Sequence, residues 1–143
     1  LSIIAYMLFR PPYEGRIFYY PDNSGAKIGA ERRGIPARDD IQGQLTVFLE
    51  ELLLGPISLE LAGALARETR INNVAVVEKK AYIDFGSQIL DIEKELPVSY
   101  DEALDNVRHN IQFNFPGIEE VFFTIEGRQI NKPLYVIKAD ADY

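Results

Sequence analysis

His109 is the single histidine among 143 residues, and there is no cysteine. One chain therefore cannot build a two-histidine metal site, a thiolate zinc site or a cysteine nucleophile. Paired carboxylates are the next candidates, because glycoside hydrolysis needs two acids flanking one bond. Asp39-Asp40 and Asp101-Glu102 are such pairs. Each stands at the start of a helical apolar pattern, where acids satisfy free N–H groups and complement the helix dipole. Asp84 alternates out of step with its apolar neighbours, so it faces outward on a strand. Asp140 and Asp142 bring fewer oxygens to the chain end than calcium requires. Gly25, Gly29 and Gly34 form no phosphate-cradling loop between strand and helix. Ser58, Ser87 and Ser99 lie outside any G-x-S-x-G elbow. No catalytic, cofactor-binding or metal-ligating set is expected. Two surface groups remain. Asp105, Arg108 and His109 share the polar side of a helix, and Tyr82 and Phe122 point away from two apolar rows. An exposed aromatic patch marks a partner surface or a sugar-stacking platform; the alternative is that Leu1 to Phe9 or Leu134 to Ile137 covers it.

The elements that position these residues can be read from periodicity. Gly15 to Tyr20 is a strand with Ile17 and Tyr19 on one face and Phe18 and Tyr20 on the other. Pro21 to Gly25 turns it, and Lys27 to Ile35 returns as an edge strand whose charges (Lys27, Glu31, Arg32, Arg33) guard against stray pairing. Pro36 to Asp40 opens a helix with an inward stripe of Ile41, Leu45, Phe48, Leu49 and Leu52, ended by Gly55-Pro56. Ser58 is placed to cap a short helix over Leu59 to Ala66. Val74 to Val77 and Ala81 to Phe85 form a hairpin, and Gly86 to Pro97 is an irregular connector.

Ser99 and Glu102 make a capping box before a stripe of Tyr100, Ala103, Leu104, Val107 and Ile111, stopped at Asn114-Phe115-Pro116-Gly117. Val121, Phe123 and Ile125 alternate inward, and Glu126-Gly127 is a hairpin turn. The expected fold class is α+β: a mostly antiparallel sheet with two main helices packed on one face.

The length suits one domain. It divides into residues 1–12, the remnant of a membrane anchor or an extra strand; residues 13–139, the folded body; and an acidic tail at 140–143. Leu1 to Phe9 is nearly all apolar but too short to span a bilayer, and the chain begins without Met, which suggests a fragment or processed form. The 15 basic and 22 acidic residues give a net charge of −7. That disfavours nucleic acid and anionic lipid as partners, since both are bound through Lys and Arg.

Several stretches together resemble the GerMN domain, a sporulation and spore-germination module of bacterial envelope proteins. They are Ile17 to Asp22 (IFYYPD), Leu49 to Pro56 (LEELLLGP), Ala81 to Gly86 (AYIDFG) and Asp101 to Ile130 with its P-G stop and V-x-F-x-I-x-G strand. Gly86 replaces the usual Ser, and the apolar start and the tail after Ile130 depart from the pattern. The resemblance implies a fold like the ring-building modules of secretion and sporulation complexes, a non-catalytic scaffold role and no cofactor. It also implies an extracytoplasmic place, in the periplasm or on the outer face of the cytoplasmic membrane, through an anchor upstream of Arg10. The expected partners are envelope proteins or further copies. The alternative is a peptidoglycan-binding module using Tyr82 and Phe122; a third reading, a wall hydrolase, would need Asp84 or Glu102.

Overall fold

The structure, a computed structural model, describes residues 12–129. The expectations for Leu1 to Phe9, for the part of the folded body beyond residue 129 and for the acidic tail fall outside these residues. Strand β1 (Tyr13–Pro21) pairs antiparallel with β2 (Ile28–Pro36) as a two-stranded ribbon. Helix α1 (Ile41–Leu54) follows, then β3 (Ile71–Val77) and β4 (Lys80–Phe85). A 3₁₀ turn (Ser87–Asp91) runs into the single turn α2 (Ile92–Glu95). The long helix α3 (Tyr100–Asn114) leads to β5 (Glu120–Ile125) and the short β6 (Arg128–Gln129). The second sheet has the order β3-β4-β5-β6.

The α+β class and the mostly antiparallel pairing are as expected. The connections differ in one place: β4 and β5 are parallel neighbours, joined by a crossover through α3. A helix of 15 residues is about 22 Å long at 1.5 Å per residue. It carries the chain back along β4 so that Glu120 starts β5 beside Lys80. The inner rows Ala81-Ile83-Phe85 and Val121-Phe123 are both buried, as central strands require.

Helix α1 is set by its ends and its stripe. The Asp40 carboxylate accepts from the Gly43 N–H at 2.9 Å, and Gly55 leaves the helix at φ 91°, a conformation that costs glycine little. Leu45, Phe48, Leu49 and Leu52 are buried, while Ile41 lies outside the core. Phe48 stacks on Phe18 at 4.8 Å and meets Phe115 edge-on at 5.6 Å, so it ties the ribbon, α1 and the end of α3 together.

The short helix expected over Leu59 to Ala66 does not form. Its backbone groups are taken by tertiary partners: Glu31 accepts from the Ile57 and Ser58 N–H groups, Ala62 N–H donates to Pro21 O, and Asn23 N–H donates to Glu60 O. Leu59 is 94% exposed. The charges of β2 also differ in role. Glu31 and Arg33 turn inward instead of guarding the edge. The Arg33 guanidinium lies 4.4 Å from the Phe18 ring centre, pairs with Glu51 at 3.1 Å and donates to the Tyr20 hydroxyl oxygen. Burial pushes the Tyr20 phenol up to about 12, against the pull of Arg33, and its O–H donates to Leu52 O.

Candidate functional site

Helix α3 does more than cover the sheet. Asparagine is a poor helix-interior residue because its side chain competes for backbone groups. Here Asn106, Asn110 and Asn114 recur at every fourth position and face β1. The Asn110 amide oxygen accepts from Tyr19 N–H at 2.7 Å, and its NH₂ donates to Tyr19 O at 2.9 Å and Asn106 O at 2.8 Å. One turn on, Asn114 accepts from Ile17 N–H at 3.1 Å and donates to Ile17 O at 2.7 Å. Asn106 adds a bond to Tyr19 O. The side chains thus occupy the hydrogen-bonding edge that a neighbouring strand would fill. Arg16 completes the junction: it donates to Asn114 O at 2.8 Å, at the negative end of α3, and lies 4.3 Å from the Phe115 ring centre.

This docking leaves a groove of about 530 Å³ between the ribbon and the first half of α3. Tyr19, Pro21, Ile28, Ala64, Val98 and Ala103 supply its apolar wall. Glu102, Asp105, Asn106 and His109, spaced i, i+3, i+4, i+7, supply its polar one. His109 meets Tyr19 at 4.9 Å between ring centres, and Phe113 meets Tyr19 at 5.1 Å. The three residues grouped on the polar helix face therefore divide. Asp105 and His109 line the groove. Arg108 pairs with Asp105 at 2.8 Å, but its guanidinium sits 5.1 Å from the Phe123 ring centre, toward the sheet. Tyr19, Ile28 and Asn106 were missed from sequence. The asparagine period was the available signal.

Tyr82 and Phe122 form the second surface. They are cross-strand partners on β4 and β5, stacked at 5.2 Å with rings 17° apart, on the sheet face opposite the helices. Their exposures are 42% and 41%. Asp84 lies on the same face, next to the turn between β5 and β6. Its carboxylate accepts from the Thr124 hydroxyl, from Gly127 N–H at 2.8 Å and from Asn72 Nδ2 at 3.1 Å. Those bonds fasten a turn that needs positive φ at Glu126 and Gly127. Asp84 and Glu102 sit on different surfaces and make no acid pair.

Partial burial pushes the Asp84 carboxyl upward, but the three donors outweigh it and hold it below its ordinary 3.8. Burial likewise opposes, and the Ile57 and Ser58 N–H groups with Arg33 overcome, a rise at Glu31, which lies below its ordinary 4.5. A depressed folded-state value means stability that is complete above those ordinary values and is lost as pH falls through the folded ones. Thermal melting followed from pH 6 to pH 2 is expected to drop through and below the carboxylate range. Asp84→Asn should flatten part of that drop while lowering the plateau near neutrality; an unchanged pH profile would remove Asp84 as a clamp.

Among the described residues no cluster of His, Cys, Asp and Glu is placed to hold a metal ion, and no helix is long and apolar enough to cross a membrane. The sequence profile of the family Germane, sporulation and spore germination, matches residues 17–131. This chain belongs to the Germane family. Solved structures share the Germane fold. The first GerMN domain of the sporulation protein GerM from Bacillus subtilis aligns with TM-score 0.55 at 20% identity, over 82% of this chain and 86% of that one. The tandem GerMN domains of the same protein align with TM-score 0.52 at 14% identity, over 83% of this chain and 41% of that one. A candidate lipoprotein from Clostridium perfringens aligns with TM-score 0.51 at 16% identity, over 83% and 78%. At these identities the likeness establishes the Germane fold alone. No curated protein matches the chain.

Proposed function

We propose that this chain is a non-catalytic interaction module of a bacterial envelope protein. It is held outside the cytoplasmic membrane through a segment upstream of Arg10, and it assembles with further copies or with a larger envelope complex. The observation that carries this reading is the outer sheet face, uncovered among the described residues, with its stacked, exposed Tyr82 and Phe122. An exposed aromatic pair contributes little to the fold, about 0.2–1 kcal/mol across strands, whereas rings of this kind anchor protein interfaces. Membership of a sporulation and germination family supports the envelope setting.

Sedimentation velocity and native mass spectrometry of the soluble domain test this. Wild type is expected to self-associate at high concentration or to be retained by an envelope complex, and Tyr82→Ala/Phe122→Ala is expected to weaken that association with little change in melting temperature. A partner-free strict monomer, or a double variant that associates like wild type, would defeat the reading. The stacked pair also favours a second one, in which the two rings form a platform for peptidoglycan sugars. Co-sedimentation with purified peptidoglycan separates the two: retention lost in the double variant supports the sugar platform.

A further inference from the structure

The ribbon has two hydrogen-bonding edges, and they are treated differently. Asp22 N–H donates to Lys27 O and Ala37 N–H to Pro12 O, which fixes the phase of the β1–β2 ladder. Even-numbered residues of β1 bond odd-numbered residues of β2. The outward groups of β1 are then those of Tyr13, Gly15, Ile17, Tyr19 and Pro21. The last three are engaged, Ile17 by Asn114, Tyr19 by Asn110, and Pro21 O by Ala62 N–H, so the half of this edge beside α3 is covered. At the edge of the other sheet, Gln42 Oε1 accepts from the outward Val76 N–H. The outward groups of β2 are those of Ile28, Ala30, Arg32 and Gly34. Among the described residues no hydrogen bond reaches them, and all four residues are exposed, Ile28 at 55%.

We infer that this β2 edge is a self-pairing edge. Two copies join antiparallel through Ile28, Ala30 and Arg32 and merge their ribbons into one four-stranded sheet. Open edges invite pairing unless charge, proline or a cover prevents it. The inward turn of Glu31 and Arg33 leaves Arg32 as the single charge in the outward row. A two-fold register centred on Ala30 suits that row. It sets Ile28 opposite the partner's Arg32, whose aliphatic stem covers it, and keeps the two Arg32 guanidinium groups from meeting. The contact is isologous and closes as a dimer. A nine-residue edge buries less than a standard interface of about 1,600 Å². The dimer is accordingly weak in dilute solution and fills when copies are concentrated, as on a common membrane.

The inference rests on the self-assembly part of the proposed function. Residue-resolved amide exchange at low and high protein concentration tests it. The Ile28, Ala30 and Arg32 amides should exchange fast in dilute protein and slow with increasing concentration, while their odd-numbered neighbours stay protected throughout. Protection of these three amides that is already present in dilute protein shows that the edge is covered within one molecule, and overturns the inference. Ala30→Pro removes an outward N–H at an edge position that tolerates proline, so the fold should persist and the dimer be lost. The cysteine-free chain supports a second readout: Ala30→Cys should form a disulfide-linked dimer under mild oxidation far faster than Lys79→Cys on the distant turn. Equal rates count against the pairing. Wild-type association that survives Ala30→Pro but not Tyr82→Ala/Phe122→Ala overturns this inference alone. Absence of any self-association overturns it together with the self-assembly reading.

Discussion

Asn110→Leu is expected to cost about 4 kcal/mol, from roughly 1–3 kcal/mol for the Tyr19 N–H left unpaired and about 1–3 kcal/mol for overpacking by the bulkier leucine. Asn110 is 0% exposed and lies inside the packed face of α3. Leucine shares its branching but is bulkier, so the substitution removes the bonds and also presses on the surrounding packing. Tyr19 then keeps a bond to its carbonyl from Asn106 but has none to its N–H, and the Asn106 carbonyl loses the second amide donor. Urea unfolding monitored by circular dichroism should show a lowered midpoint with an unchanged slope. Domains of this size hold about 5–15 kcal/mol in total, so the variant should fold but melt early. A loss under 1 kcal/mol would mean that water satisfies the β1 edge and that the amides do not hold it. Asn106→Ala, at a half-buried position, should cost about 1 kcal/mol, near the mean for one hydrogen bond.

Phe48→Ala is the other large effect, expected at about 3–5 kcal/mol from the lost transfer energy plus the cavity. Phe48 is fully buried between Phe18 and Phe115, so no single element can collapse into the space. Phe48→Leu keeps most of the volume and should cost about 1.5 kcal/mol. The pair of variants separates packing from the aromatic contacts. If Phe48→Leu costs as much as Phe48→Ala, ring geometry dominates, worth about 0.5–1.5 kcal/mol per aromatic pair.

Local periodicity made much of this fold legible. The α3 stripe of Tyr100, Ala103, Leu104, Val107 and Ile111 is buried throughout, and Ser99 caps the helix by accepting from Glu102 N–H. The inward row Val121-Phe123 and the outward Tyr82 and Phe122 follow from simple alternation. What periodicity cannot show is where a polar group finds its partner. Glu31 and Arg33 looked like edge charges because the side-chain sequence of a strand does not say which face is covered; each is held by groups brought from α1 or the segment after it. The helix expected at Leu59 to Ala66 failed for the same reason, since Pro21 and Glu31 supply bonds across the chain that compete with helical ones. The groove was half visible. His109 and Asp105 were identified from the polar side of α3, while Tyr19 and Ile28 enter only because α3 docks on the ribbon.

The asparagine ladder also works as a gauge. Four residues of helix advance about 6.0 Å and two residues of strand about 6.6 Å, so successive amides on α3 stay in phase with alternate residues of β1 over the two rungs at Asn110 and Asn114. A strand that slipped by one residue would turn its edge groups away from both amides and send Phe18 and Tyr20 to the outer face. The ladder therefore meters the ribbon against a helix 91 positions further along the chain. The placement of the ribbon against the rest of the fold is thus set by α3, and the helix is the ruler from which the ribbon's free edge takes its direction.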